Sequence, residues 1–488
     1  MSNNVQQLLN KTAYGDLKVE SLTPITQITA QYGVLDQVLS VVDSAASGTN
    51  TAVDSKFTCQ TGTASTGLAS IVSLRELSYR AGQGVVSKIS AVFTTGVADS
   101  LQLAGLITAE NIFAFGYVGA TFGIVHGHGG ESETQELTIT TPAGGGENAT
   151  VTIDGTGYTV ALTAGTVQHN AFEIANSLNT QVTNFTFTSN DDQVVSQSLI
   201  PEPLGSFAFS SSTAVGAWAQ ITAGVATTLD VIPQSTWNVD TRLTGTTQEI
   251  LDHTKGNVYQ IQFQYLGFGA IKFYVEDSET GDILLVHVIE YANTATNPSV
   301  TNPTFRIGWA ARNTGNTTNI TVSGGSAAGF IEGELRSSTP PRAEINEQLA
   351  VGTTLTNVIA LRNRVTFGGK VNRVEIIPLL ATLSTQSNKS AFFEIRANPV
   401  FSAVDLDFAY VDKATSVMEI ATDAATVSGG RLIGALTVVA GSSEALEFNT
   451  RLEQLFVAYP GQLFSVAARV SSGAASDMQV TVSWAEDT

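Results

Sequence analysis

The sequence predicts a mainly β protein: tandem antiparallel β-sandwich domains of jelly-roll type, with one small α/β insertion. The first observation is the stretch Lys255 to Tyr291. There Val258, Gln260 and Gln262 alternate with Tyr259, Ile261 and Phe263, and Ile271, Phe273 and Val275 alternate with Lys272 and Tyr274. A period of two in β-branched and aromatic residues, bounded by Gly, Asp and Ser turns, indicates antiparallel strands and not helix. The second is that short β runs recur from Val371 to Trp484 with turn signals about every 8–12 residues, the pattern of a sandwich. The third is composition: 14% charged residues and 44 glycines among 488 residues suit many turns between short strands.

Bulk numbers narrow the function classes. The length accommodates about three domains of ~150 residues. The formal charge of −20, from 43 acidic against 23 basic residues, repels phosphate backbones and argues against nucleic-acid partners. Cys59 is the only cysteine, so neither an intrachain disulfide nor a thiolate metal cluster is expected. The opening Met1-Ser2-Asn3-Asn4 has no basic and apolar leader pattern, and no apolar run reaches the ~18–20 residues of a membrane helix. The expectation is maturation in a cytoplasm, without membrane insertion.

Taken in order, residues 1–64 read as an N-terminal arm or domain-edge region. Ile25, Ile28, Leu35, Val38 and Leu39 suit one face of a short helix, with strand as the alternative, and Ser44 to Thr66 reads as loop or edge strand. Strands follow at Ile71–Arg75, Val85–Thr94, Ser100–Leu106, Ile112–Tyr117 and Phe122–His126. The character changes near Glu131. A hairpin across Asp154-Gly155 precedes a helix, because Val167, Ala171, Ile174, Ala175 and Leu178 fall at helical spacing, with Thr163 or Thr166 as N-cap. Residues 131–224 thus form a β-β-α-β-β module inserted into a split sandwich made of 65–130 and 225–336; three domains in a row is the alternative. Ser337 to Arg342 is a linker by composition, and 340–488 a C-terminal sandwich.

Candidate chemistry is sparse. His126-Gly-His128 lies in a Gly-rich stretch and its two imidazoles share a side, but no acidic or Cys partner stands near in sequence, so a polar turn without metal is expected. Glu276, Asp277, Glu279 and Asp282 crowd one turn without the spacing of an EF-hand, and read as a solvated hairpin. No nucleophile elbow, zincin helix or phosphate loop is present, so neither catalytic residues nor a cofactor are assigned and a non-enzyme is expected. Trp237, Tyr265 and Trp309 are the aromatics placed to stack on sugar rings, if they are exposed.

Two stretches carry a resemblance. GNVYQIQFQYLGFGAIKFYVEDSETGDILLVHVIEYANT with NPTFRIGWAARNTGNTTNITVSGGSAAGFIEGE resembles virion-associated β-sandwich proteins of tailed phages and large DNA viruses. YRAGQGVVSKISAVF and FAFGYVGATFGIVHGHGG fit the same sandwich, which is similar to concanavalin-like or laminin-G-like jelly rolls. Separately, ATVTIDGTGYTVALTAGTVQHNAFEIANSLN resembles an α/β insertion module of phage tail, sheath and fibre proteins. The resemblance covers about residues 70–336 and implies a structural protein of a virus particle: capsid, tail fibre, spike or decoration. It would be assembled in a host cytoplasm and released on lysis. Its implied partners are copies of itself, as a trimer, and other virion proteins. Glycan-binding host attachment is the alternative function, and polysaccharide degradation a more distant one.

Overall fold

In the computed structural model, 57% of the chain is strand and 5% helix, so the fold class is mainly β. The structure describes residues 21–36, 40–79, 82–182, 185–199, 206–243, 250–333, 342–385, 389–402, 406–447 and 457–487. The chain divides into two compact units, Met1–Gly129 with Thr227–Leu335, and Gly130–Ala226 with Arg336–Thr488.

The first unit is a two-layer sandwich of a nine-stranded and an eight-stranded antiparallel sheet. Alternation drives it. Strand Asn257–Phe263 sends Tyr259, Ile261 and Phe263 inward, and its partner Ile271–Glu276 sets Val275, Phe273 and Ile271 opposite them in register. From the facing sheet, strand Ile112–Val118 contributes Phe113 and Phe115, and strand Thr304–Asn313 contributes Phe305, Ile307, Trp309 and Ala311. Phe115 stacks on Tyr259 with ring centroids 4.5 Å apart, joining the two layers. Burial at ~25 cal/mol per Å² makes this aromatic seam the main source of cohesion.

From Leu22 to Gln60 the described residues of the N-terminal region contribute strands to the two sheets of the first unit. Leu22–Thr29 is a strand, where a helix was the first expectation, and it pairs antiparallel with Ser326–Glu332. Its inward residues Thr26 and Ile28 alternate with exposed ones. Thr49–Val53 and Lys56–Gln60 form a hairpin on the nine-stranded sheet, and Ser40–Ala45 joins the other sheet through Leu68–Ser73. Only Phe57 and Cys59 of that hairpin are fully buried, so a Thr-rich outer face hides the inward pattern from a reading by hydrophobicity. Residues 1–20, Val38 and Leu39, and the Pro340-Pro341 part of the linker lie outside the described residues.

The second unit includes Gly130–Ala226. Helix Val167–Gln181 packs Ala171, Ile174, Ala175 and Leu178 against Leu137, Val151, Phe187 and Val194 of a four-stranded and a three-stranded sheet. Asp154 and Gly155 turn the hairpin between Glu147–Ile153 and Thr156–Leu162, both with positive φ. Thr166, not Thr163, is the N-cap: its Oγ1 accepts from the His169 amide at 3.1 Å. Thr166→Ala is expected to lower stability by about 1 kcal/mol in denaturant unfolding, whereas Thr166→Ser leaves it nearly unchanged.

The grouping of the module differs from a free-standing insertion. Residues Gly130–Ala226 belong to one unit with the C-terminal sandwich, whose four-stranded and eight-stranded sheets enclose Ile359, Leu361, Phe393, Val466 and Trp484. A buried polar network joins them. Arg362 donates through Nε to Glu419 at 2.7 Å, Glu419 accepts from Asn190 Nδ2 at 2.7 Å, and the Arg362 guanidinium lies 4.0 Å over the Phe408 ring. The Asp191 amide donates to the Phe408 carbonyl at 3.1 Å. Arginine is suited to such a place because its planar fork satisfies a carboxylate and a carbonyl at once.

Candidate functional site

Two of the three aromatics singled out for sugar stacking belong to the core. Trp309 is 0% exposed, and its Nε1 donates to the Ser90 carbonyl at 2.9 Å. Trp237 is 4% exposed and sits edge-on to Phe115, with Nε1 donating to the Ile232 carbonyl. Neither offers a face to a ligand, so both are withdrawn as glycan contacts. Tyr265 is half-buried, edge-on to Tyr79, with its hydroxyl donating to the Val300 carbonyl at 2.7 Å. A shallow open groove of about 290 Å³ between Gln27, Lys88, Ser90, Val258 and Ser326 has no aromatic in its lining.

The acidic hairpin is organised from within. Asp277 accepts from the Glu279 and Thr280 amides, and its other oxygen receives Arg242 Nη2 at 3.1 Å. Hydrogen bonds from Thr280, then the Arg242 guanidinium, hold its carboxyl below the usual range. These bonds fold the Asp277 carboxylate back onto its own turn and onto Arg242.

Three histidines are accounted for by their neighbours. His169 contacts Glu173 at 3.1 Å on the next helical turn. His253 stacks on Phe122 with centroids 4.4 Å apart and meets the Tyr117 hydroxyl at 3.0 Å; burial lowers its pKa. His287 accepts from the Asn238 amide at 3.1 Å, and burial lowers its pKa too.

His126 and His128 stand apart. They do not lie in a turn but on strand Thr121–His128, the last strand before the chain leaves the first unit. Residues two apart on a strand share a face. The neighbouring strand, Thr228–Pro233, is where the chain returns, and its register sets Asp230 directly across from His126. One ligand atom from each of His126, His128 and Asp230 lies within 4.8 Å of the others. His128 Nε2 and Asp230 Oδ2 are 2.9 Å apart, and the two imidazole centroids 4.7 Å apart.

Burial differs across the trio. His126 is 4% exposed, against Phe113 and Tyr291, and its Nε2 has no hydrogen-bond partner among the described residues. An unsatisfied buried polar atom costs about 1–3 kcal/mol. Burial, with a smaller push from His128, lowers the His126 pKa to about 4, while a backbone hydrogen bond to Ser299 and the Asp230 carboxylate oppose the shift. The imidazole is therefore neutral near pH 7, with one nitrogen lone pair unspent. His128 and Asp230 keep side-chain exposures of 34% and 60%, so solvent reaches the open side.

Sequence reasoning found the two histidines and missed Asp230. The aspartate lies 102 residues away, and only strand pairing across the whole module brings it close. The alternation in Thr228–Pro233 signals a strand, yet nothing in it names the partner strand. Among the described residues no helix is long and apolar enough to cross a membrane. No family model matches the chain, and no curated protein is significantly similar to it.

Proposed function

We propose that the chain is a structural component of a virus particle, acting through interfaces with copies of itself and with neighbouring virion proteins. The observation that carries this reading is the state of the sheet edges in the second unit. Strands Val215–Thr222, Val400–Ser402 and Arg431–Val438 are each outermost in their sheets. They expose Val215 at 53%, Ile221 at 48%, Val400 at 61% and Leu432 at 51%. Monomeric proteins blunt such edges with charge, proline or a covering loop. Here VGAWAQIT contains no charged residue and RLIGALTV contains one, whereas VFS, three residues long and preceded by Pro399, is an edge kept short. An uncharged outer strand with apolar side chains is a template for another chain's backbone and side chains.

The acidic, lysine-poor surface and the likeness of residues 70–336 to virion β-sandwiches support the same reading. The resemblance implies a closed homo-oligomer, a trimer. The glycan-attachment alternative has lost its two tryptophans and rests on Tyr265 alone. Light scattering of the full chain at micromolar concentration is expected to give a multiple of 51.1 kDa. Val215→Lys and Leu432→Lys place charge on two edges and are expected to shift that mass downward while leaving each fold intact. A stable monomer for the unmodified chain would contradict the proposal.

A further inference from the structure

We propose that His126, His128 and Asp230 form a divalent transition-metal site of the zinc type, clamping the strand on which the chain leaves the first unit to the strand on which it returns. Three observations carry it. The side chains share one sheet face by register and periodicity, His126 opposite Asp230 and His128 two residues on. Their ligand atoms lie within 4.8 Å of one another. His126 Nε2 is buried and has no partner among the described residues, which a metal or a bound proton donor would supply.

Two imidazole nitrogens and one carboxylate oxygen make a donor set that zinc, cobalt and nickel accept readily and that calcium and magnesium, which prefer oxygen, do not. Around zinc, N and O donors sit at ~2.0–2.2 Å, so neighbouring donors lie about 3.3 Å apart. His128 Nε2 and Asp230 Oδ2, at 2.9 Å, are close to that spacing already. The remaining closure falls to the half-buried His128 and the exposed Asp230, while His126 stays fixed by its core contacts. The Ser299 backbone hydrogen bond to the His126 ring is the kind of outer partner that orients a ligating imidazole. The fourth position faces solvent and would hold water.

The placement gives the site a role. Residues 129–227 intervene between the two strands, and six register pairs, Gly123↔Pro233 to His128↔Thr228, hold the ends together. Both histidine positions lie at the end of that ladder nearest the excursion, where strands fray first. A metal there would fix the ladder's last pairs.

The test uses the full chain stripped with chelator, then titrated calorimetrically with zinc chloride. One equivalent of zinc per chain is expected, with a rise in Tm on saturation. Cobalt is expected to give a visible ligand-field spectrum that zinc displaces. His128→Ala, at a half-buried position, and Asp230→Ala, at an exposed one, both checked for native circular dichroism, are expected to weaken zinc binding by at least ~10-fold each. His169→Ala, on the helix, is the control and is expected to bind as the unmodified chain does. Weak multi-site uptake that the two variants leave unchanged, or displacement of zinc by equimolar calcium, would overturn the assignment and reduce the trio to a hydrogen-bonded strand end.

Discussion

Glu419→Ala is expected to destabilise the second unit by roughly 3–5 kcal/mol, the cost of leaving a buried charge without its partner. Arg362 and Glu419 are 8% and 3% exposed, and their closest approach, Nη2 to Oε2, is 2.6 Å. Removing the carboxylate strands the guanidinium beneath Phe408 and deprives the Asn190 amide of its acceptor. The same guanidinium donates to the Ser189 carbonyl, so the loss of its carboxylate anchor also loosens this second tie of residues 189–191 to the C-terminal sandwich. Replacing both partners, as Arg362→Met with Glu419→Leu, is expected to recover most of the loss, because no charge then stays buried. Guanidinium unfolding of the single and double variants measures this, and hydrogen exchange should place the added opening in Phe185–Ser198. A single-variant loss below about 1 kcal/mol would mean that the pair is solvated and does not join the module to the sandwich.

Trp309→Ala is the second large effect, roughly 3–5 kcal/mol from a cavity in the first unit. The indole is fully buried and packs on Phe57 with centroids 5.4 Å apart. A Cβ at Gly324, the last residue of strand Thr321–Gly324, would stand 2.1 Å from the Ser90 carbonyl and 2.4 Å from the indole Nε1, which explains the glycine there. Removing the ring also leaves the Ser90 carbonyl without its donor. Trp309→Phe keeps much of the apolar volume and is expected to cost less. Tyr265→Ala, at a half-buried position, is expected to cost less still. Denaturant unfolding ranks the three; a Trp309→Ala change within ~0.5 kcal/mol of zero would place the indole at the surface and revive it as a ligand contact.

What the sequence conveys follows from periodicity. The runs at Asn257–Phe263 and Ile271–Glu276 are strands as their alternation requires, the apolar run Ile283–Ile289 after the turn is a strand beside them, and the helix sits where Ala171, Ile174 and Leu178 recur. Strand Thr356–Asn363 went unrecognised because it is buried along nearly its whole length; its pattern does not alternate and it ends on Arg362 and Asn363. Alternation also leaves open which face is inward. Trp309 shares its face with Ile307 and Ala311, and only the facing sheet decides that this face is the core. Pairing over long separations is the least legible. Asn190 meets Glu419 across 229 residues, and His128 meets Asp230 across 102; of the four only His128 carries a local mark, and it does not name its partner.

The proposed assembly role is tested most directly by looking for density for this chain in intact virus particles. The account predicts many copies per particle, with Val215–Thr222 or Arg431–Val438 seated against another subunit and their apolar side chains out of water. Particles that lack the chain, or that hold it with those edges bare to solvent, would contradict it.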